Sequence, residues 1–333
     1  MLNSIESRTL LKRYINLEKI SESSTVVIYK AESISNGKHY IIKSFRGIDK
    51  KTFELHTERI NNQIKIQENR NVLPITDFYA DENTRSLYFA TQVCTPVSKQ
   101  IEEGVTMTDD NMLKFIREMA ECLDYAKEHI QQTHNNIHTG NVMFIDGAYK
   151  LTDWDFPTGY SRPDDSIYSH YCRMIFTAPE VLLKLQQDNL KTTKKDTIPE
   201  EEKEEFLDED YETYYEKADI YSIGIVCLRL FGVPEKKLFN IKRDQVKQGK
   251  KLVRDEILSN IPSGLSQKLS DLLHGMLQFE SSKRFDLPAI LEKFAKESKT
   301  ILTSVLFYDL ACRGKTGAER EGRWKDFEGV QRL

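Results

Sequence analysis

His134-Asn135-Asn136-Ile137-His138-Thr139-Gly140-Asn141-Val142-Met143-Phe144 is the stretch whose reading decides the fold of this chain. Polar side chains able to donate and accept hydrogen bonds give way, after Asn141, to an apolar run. A second apolar run, Tyr149 to Leu151, leads into Asp153-Trp154-Asp155, with Asp153 twelve residues beyond Asn141. Asp-Trp-Asp alone would mean little. Its weight comes from the interval to Asn141.

On either side of this centre the pattern is helical. Met112 to His129 carries Met112, Phe115, Ile116, Met119 and Leu123 on one face, the spacing of an amphipathic helix. Ile220 to Leu230 is apolar nearly all round, as a buried central helix is, and Leu265–Leu277 and Leu287–Phe294 read as further amphipathic helices. The first part of the chain reads as strands. Val26–Tyr29 and Tyr40–Ile42 flank the turn residues Ser35-Asn36-Gly37-Lys38 and form a hairpin. Phe53 to Gln67 has Leu55, Ile60 and Ile64 at helical intervals. Val72–Tyr79 and Leu87–Val93 follow as strands joined through Asp81-Glu82-Asn83. Strands with one inserted helix, followed by a mainly helical remainder, make an α+β protein with a small and a large lobe.

Composition agrees with a folded protein. Of 333 residues, 39% are hydrophobic and 10% aromatic, enough to bury a sizeable core. Charged residues reach 30% but nearly cancel, and a formal net charge of −4 gives no electrostatic reason to expect nucleic acid as the partner. Five scattered cysteines form no Cys-x-x-Cys pair, which argues against zinc and redox chemistry. No run is long and apolar enough to span a bilayer, and the chain is expected to be soluble and cytoplasmic. Leu190 to Glu212 carries Lys-rich and then Glu-rich stretches. It reads as a solvated insertion, or as a docking segment for a basic partner.

Taken in order, these pieces resemble the protein kinase family over residues 14–296. The resemblance implies a bilobal fold, with a small mainly β lobe at about 14–93 and a larger mainly α lobe at about 95–296. The charged insertion at about 190–212 would interrupt the larger lobe. Residues 1–13 would be an extension and 297–333 a tail. His39 to Lys43 is similar to the strand that aims a lysine at nucleotide phosphates, and Glu58 on the following helix would orient Lys43. Ile20 to Val27 stands where kinases have a glycine-rich phosphate loop. Ser21, Ser23 and Val26 replace all three glycines, leaving the hydroxyls of Ser21, Ser23 or Ser24 to meet a phosphate. Leu87 to Cys94 resembles the strand entering the interlobe hinge. Thr91 would lie at the purine pocket, and Gln92 and Cys94 would present their backbone to adenine.

The central stretch resembles the kinase catalytic loop, with His134 and Asn141 matching. Asn135 replaces the loop arginine and Asn136 the catalytic aspartate. An amide keeps the shape of that aspartate but has no basic carboxylate to take a substrate proton. His138 takes the place of a phosphate-contacting lysine. Asp153 and Asn141 are retained, so a magnesium site is implied at these two residues. Asp155 replaces a glycine of the metal segment. Glu180, in Ala178-Pro179-Glu180, Asp219 and Arg284 match the residues that tie the larger lobe together. Ser166, Tyr168, Ser169 and Tyr171 lie where an activation segment takes phosphate, but Asn135 leaves no arginine to receive it.

The resemblance therefore implies a pseudokinase, a regulatory or scaffolding module with protein partners, weak ATP binding at most, and weak or no phosphotransfer. The alternative is an active atypical ATP-dependent serine/threonine kinase that relies on Lys43, Asn141 and Asp153. A third reading, a small-molecule phosphotransferase, follows from the likeness of Ile137–Asn141 to the loop of aminoglycoside and choline kinases. Those enzymes generally lack the Ala178–Glu180 and Asp219–Gly224 features.

Overall fold

A computed structural model describes residues 12–23, 25–154, 174–183, 211–248 and 256–295. Ser24, Asp155, Ser166, Tyr168, Ser169, Tyr171 and most of the charged insertion lie outside the described residues. The chain divides into two compact units, residues 1–287 and 288–333. The first holds both lobes. The described part of the second, residues 288–295, is helical.

The small lobe is a five-stranded antiparallel sheet in the order β1-β2-β3-β5-β4. Its strands are β1 (Tyr14–Glu22), β2 (Val26–Ser33), β3 (His39–Phe45), β4 (Ile75–Asp81) and β5 (Ser86–Gln92). Alternation works as period-2 patterning requires. In β2 the residues Val27, Tyr29, Ala31 and Ser33 are buried and their neighbours half-exposed. Tyr14, Ile42, Tyr88 and Ala90 close that core on one side of the sheet. On the other side Phe45, Ile48, Phe53, Ile60, Ile75, Leu87 and Phe89 pack together, and α1 (Lys50–Ile66) contributes Phe53 and Ile60 to this cluster. Asp49 caps α1 by accepting from the backbone N–H of Thr52. β1 had no clear signal in the sequence. It is a mostly exposed edge strand, with little apolar alternation to betray it. Val72, expected to open β4, instead makes an isolated bridge to Leu151, and the strand starts at Ile75.

The larger lobe begins with a two-residue strand, β6 (Thr95–Pro96), and the short α2 (Val97–Glu102). α3 (Asp109–Ile130) follows, its buried face including Met112, Phe115, Ile116, Met119 and Leu123 as the periodicity predicts. β7 (Val142–Ile145) and β8 (Ala148–Leu151) form a hairpin that pairs with β6. α4 (Tyr211–Leu230) is the expected central helix, buried nearly all round from Ala218 to Leu230. It already occupies Tyr211 and Glu212, which the sequence reading assigned to the charged insertion. Gly224 lets it approach Leu277, since a Cβ there would stand 2.7 Å from that side chain. α5 (Glu235–Gln248), not expected, and α6 (Gln267–Met276) follow it.

Buried polar contacts tie the lobe together. Arg284 clasps Glu180 in a bidentate pair of 2.6 and 3.0 Å, with Arg284 3% and Glu180 7% exposed. The same guanidinium donates to the carbonyls of Lys217, Gln278 and Phe279 and lies over the Tyr221 ring. Lys242 on α5, fully buried, donates to Thr177 O, and burial pushes its ammonium well below the usual lysine range.

Candidate functional site

The hairpin β7–β8 and the loop before it place the central stretch under the small lobe. Asp219, near the middle of α4, fixes that loop through its backbone. Its two carboxylate oxygens accept from the N–H groups of His134 and Asn135, at 2.6 and 2.8 Å. Burial pushes the Asp219 carboxyl up to about 7, against these two donors, which favour the charged form. Asn135 can serve the turn because it holds the left-handed conformation, φ 57°, that asparagine tolerates.

His134 is wholly buried. Its Nε2 lies 3.1 Å from Thr152 O, and its Nδ1 accepts from the backbone N–H of Asn136 at 3.2 Å. Those partners fix a neutral ring protonated at Nε2. Burial pushes its pKa down to about 3. The Trp154 ring packs beside it, with centroids 4.6 Å apart.

Asn136, where the resemblance implies a base, is not idle. Its amide Nδ2 donates to the backbone carbonyl of Asp153 at 3.2 Å, and its own carbonyl accepts from Asn141 Nδ2 at 3.0 Å. Asn136, Asn141 and Asp153 are thus linked through one side chain of each asparagine. Asn141 is further fixed by its N–H to His138 O and its carbonyl to Thr152 N–H. His138 accepts at Nδ1 from the N–H of Gly140, 3.1 Å away.

Above this floor, β3 extends Lys43 from between Ile28 and Phe89 on the neighbouring strands. Its ammonium is paired with Asp153 across the cleft. Burial works to raise the Asp153 carboxyl, but the Lys43 ammonium overrides it and holds the group below the usual carboxylate range.

A cavity of about 240 Å³ opens between the lobes. Its described walls bring Lys43, Asn136, His138, Asn141 and Asp153 together, with Val26, Ile28 and Phe89 above and Trp154 behind. Among the described residues, Asp153 supplies its sole carboxylate. Glu58 does not reach it. That residue is exposed, and the helix turns His56, Arg59, Ile60 and Gln63 to the cavity instead. Arg59, the neighbour of Glu58 on the helix, faces the cavity instead and is 8% exposed. The reason is register. Gln63 Nε2 donates to Leu73 O and anchors α1 with that face inward, and one residue along a helix is a rotation of about 100°.

The expected phosphate loop is likewise altered. β1 and β2 close on a tight hairpin in which Ser23 donates its N–H and its hydroxyl to Val26 O, while Val26 N–H donates back to the hydroxyl. Ser21 is exposed and in register with Ile28. Neither serine lines the cavity, whereas Val26 does. Thr91, buried, and Gln92, exposed, end β5. Cys94 follows half-buried, and burial pushes its thiol up to about 11. These three stand at the strand leaving the small lobe and do not line the cavity.

Asn141 and Asp153, the two residues at which the resemblance implies a magnesium site, both line the cavity. Magnesium is usually held by one or two carboxylates together with substrate phosphates. Here the cavity's described wall offers one carboxylate, Asp153, paired with Lys43, and the amide of Asn141. Among the described residues, no group of three or more His, Cys, Asp or Glu is placed to hold a metal ion. No described helix is long and apolar enough to cross a membrane.

Residues 14–197 match the family model of the protein kinase domain. Cyclin-dependent kinase 14 of Xenopus tropicalis is 25% identical over 175 residues, covering 51% of this chain and 40% of that protein. Human cyclin-dependent kinase 14 is 24% identical over 174 residues, covering 51% of this chain and 36% of that protein. The matched stretch is thus well under two thirds of these relatives' own length.

Proposed function

The chain belongs to the protein kinase family, and we propose that within it the protein works as a pseudokinase, a regulatory or scaffolding module with weak or no phosphotransfer. One observation carries this reading. The side chain at the base position, Asn136, is an amide engaged with the Asp153 carbonyl, and the cavity's described wall offers no carboxylate besides Asp153. General-base assistance typically contributes about 10²–10⁴-fold, and the Asn136 amide itself cannot take the proton of a substrate hydroxyl. The loop closed by Ser23 and Val26, in place of glycines, supports the same reading, since the N–H groups of these two residues are spent within the hairpin. What such a module offers a partner is the fold itself. The cyclin-dependent relatives, whose name states reliance on another protein, support a protein as that partner.

Retention of Lys43, Asn141 and Asp153 favours the second reading, an active atypical ATP-dependent kinase in which positioning and electrostatics supply the rate. The two are separated by measuring transfer of γ-phosphate to a generic protein substrate. Wild type is expected to be near background. Asn136→Asp combined with glycine at Ser21, Ser23 and Val26 should give partial recovery. Transfer by wild type at an ordinary kinase rate, undiminished in Asn136→Ala, would overturn the pseudokinase reading.

A further inference from the structure

We infer that Lys242 is a proton-sensitive latch, a neutral amine that holds residues 174–183 against α4 and α5 and takes up a proton when they are released. The latch does not depend on whether the cleft transfers phosphate.

Ser222, Lys242 and Arg284 grip this segment from three places in the larger lobe. The Ser222 hydroxyl on α4 lies 2.9 Å from Phe176 O. Lys242 Nζ on α5 donates to Thr177 O at 2.8 Å. Arg284 takes both oxygens of Glu180. Of these three donors, a hydroxyl, a lysine nitrogen and a guanidinium, only the lysine can change its proton count in water of ordinary pH. Phe176 also stands beside His138 in the cleft wall, with ring centroids 6.1 Å apart. Release of the segment would take Phe176 from that place, so a proton on Lys242 is felt in the cleft.

The surroundings of Lys242 suit an amine better than an ammonium. The residue is 0% exposed. An ammonium carries three N–H donors and no lone pair. Among the described residues it meets one hydrogen-bond acceptor, Thr177 O, and the Tyr221 ring, whose centroid is 4.0 Å from Nζ. The carboxylate within its field, Glu180, is already clasped by Arg284, and the guanidinium of Arg284 lies over the same Tyr221 ring. A neutral amine has two N–H groups, enough for the carbonyl and the ring. A buried ammonium without a carboxylate of its own ordinarily gives up its proton. Burial pushes Lys242 down, the Glu180 charge opposes that, and the Arg284 charge adds to it.

The sign of the pH dependence follows. Closed, the site refuses a proton. Opened, Lys242 meets water and binds one up to the ordinary lysine range. Opening therefore gains about tenfold for each pH unit lowered, and the closed segment is favoured as pH rises. The test is hydrogen exchange of the full chain at pH 6.5 and 8.5, corrected for intrinsic exchange and read in peptides spanning 174–183, where the Leu182 N–H donates to Ala178 O. In wild type the opening constant should be about a hundredfold larger at pH 6.5 than at pH 8.5. Lys242→Met keeps the apolar stem and has nothing to protonate, so its opening constant should change by less than about threefold. A wild-type change below about tenfold overturns the inference, because Lys242 then keeps its proton in the closed segment. A change in Lys242→Met as large as that of wild type overturns it too, since another group is then responsible. If Lys242→Met does not fold, the wild-type comparison of the two pH values still decides by the same tenfold limit.

Discussion

Two pairs of opposite charge join distant parts of the first unit, and they are built differently. Arg284 and Glu180 meet in the larger lobe as a buried bidentate clasp whose remaining donors are met by backbone carbonyls. Lys43 and Asp153 meet across the cleft, each about a quarter exposed, through one ammonium and one oxygen. The clasp keeps every residue type that the kinase resemblance requires. Around the cleft pair, the resemblance finds Ser21, Ser23 and Val26 for the glycines, Asn136 for the base and Asn135 for the loop arginine, and Glu58 is exposed. The residues that hold the lobe together are all retained, whereas those of the cleft are retained only in part, at Lys43, Asn141 and Asp153.

The largest effect should come from breaking the clasp. Arg284→Ala leaves the Glu180 carboxylate buried and unpaired, and such a change typically costs about 3–5 kcal/mol. Urea denaturation should register that loss as a shift in midpoint. A change below about 1 kcal/mol would show that the clasp does not hold the lobe and would remove the contrast. Next comes the brace beneath the loop. Asp219→Ala deprives the His134 and Asn135 N–H groups of their acceptor, and each unsatisfied buried donor costs about 1–3 kcal/mol. The same denaturation measurement checks it, with an expected loss of about 2–4 kcal/mol.

A smaller effect is written in pH. His134 is held neutral when folded, with its pKa pushed down to about 3 by burial against an ordinary value of 6.5. Between those values the unfolded chain binds a proton that the folded chain refuses. Stability from this group is therefore complete above pH 6.5 and falls as the pH drops toward 3. At pH 5.5 the loss is about 1.4 kcal/mol. Asp219, raised to about 7 by burial, works in the opposite sense over much of this range. The useful quantity is thus the difference between wild type and His134→Gln, measured at pH 7.5 and 5.5. Wild type should lose about 1.4 kcal/mol more than the variant, and equal losses would show that His134 is not refusing its proton.

The sequence showed the scaffold more fully than it showed the cleft, for a physical reason. α3 and α4 announce themselves by a repeated apolar spacing, and Glu180, Asp219 and Arg284 stand beside distinctive neighbours in the chain. Lys43, Asn136, Asn141 and Asp153 were legible because each lies on or beside a strand, where an interval in sequence fixes a position in space. Arg59 was not. Its place depends on the rotation of α1, and a single step decides between an exposed Glu58 and a buried Arg59. The signal was present in faint form. His56, Ile60 and Gln63 share the inward face with Arg59, while Glu58 falls outside it. The engaged hydroxyl of Ser23 was also beyond reach, since it depends on the tight closure of the hairpin rather than on residue type. α5 went unseen because one of the residues it buries, Lys242, is a lysine.

The smallest expected effect bears most closely on the comparison. Lys43→Met removes the ammonium from Asp153 and leaves a side chain of similar length between Ile28 and Phe89. Both partners are partly open to water, which screens their attraction and rehydrates the carboxylate once it is alone. Pairs of this exposure contribute about 0–1 kcal/mol, so Lys43→Met should move the urea midpoint by less than about 1 kcal/mol, a third or less of the Arg284→Ala effect. The Asp153 carboxyl should titrate higher in the variant, because burial, which raises it, is then no longer overridden by the ammonium. Nuclear magnetic resonance titration of the carboxyl in wild type and Lys43→Met would read that shift directly. A loss of stability as large as that of Arg284→Ala would mean that the cleft pair is also structural, and retention of Lys43 and Asp153 would then say nothing about phosphate.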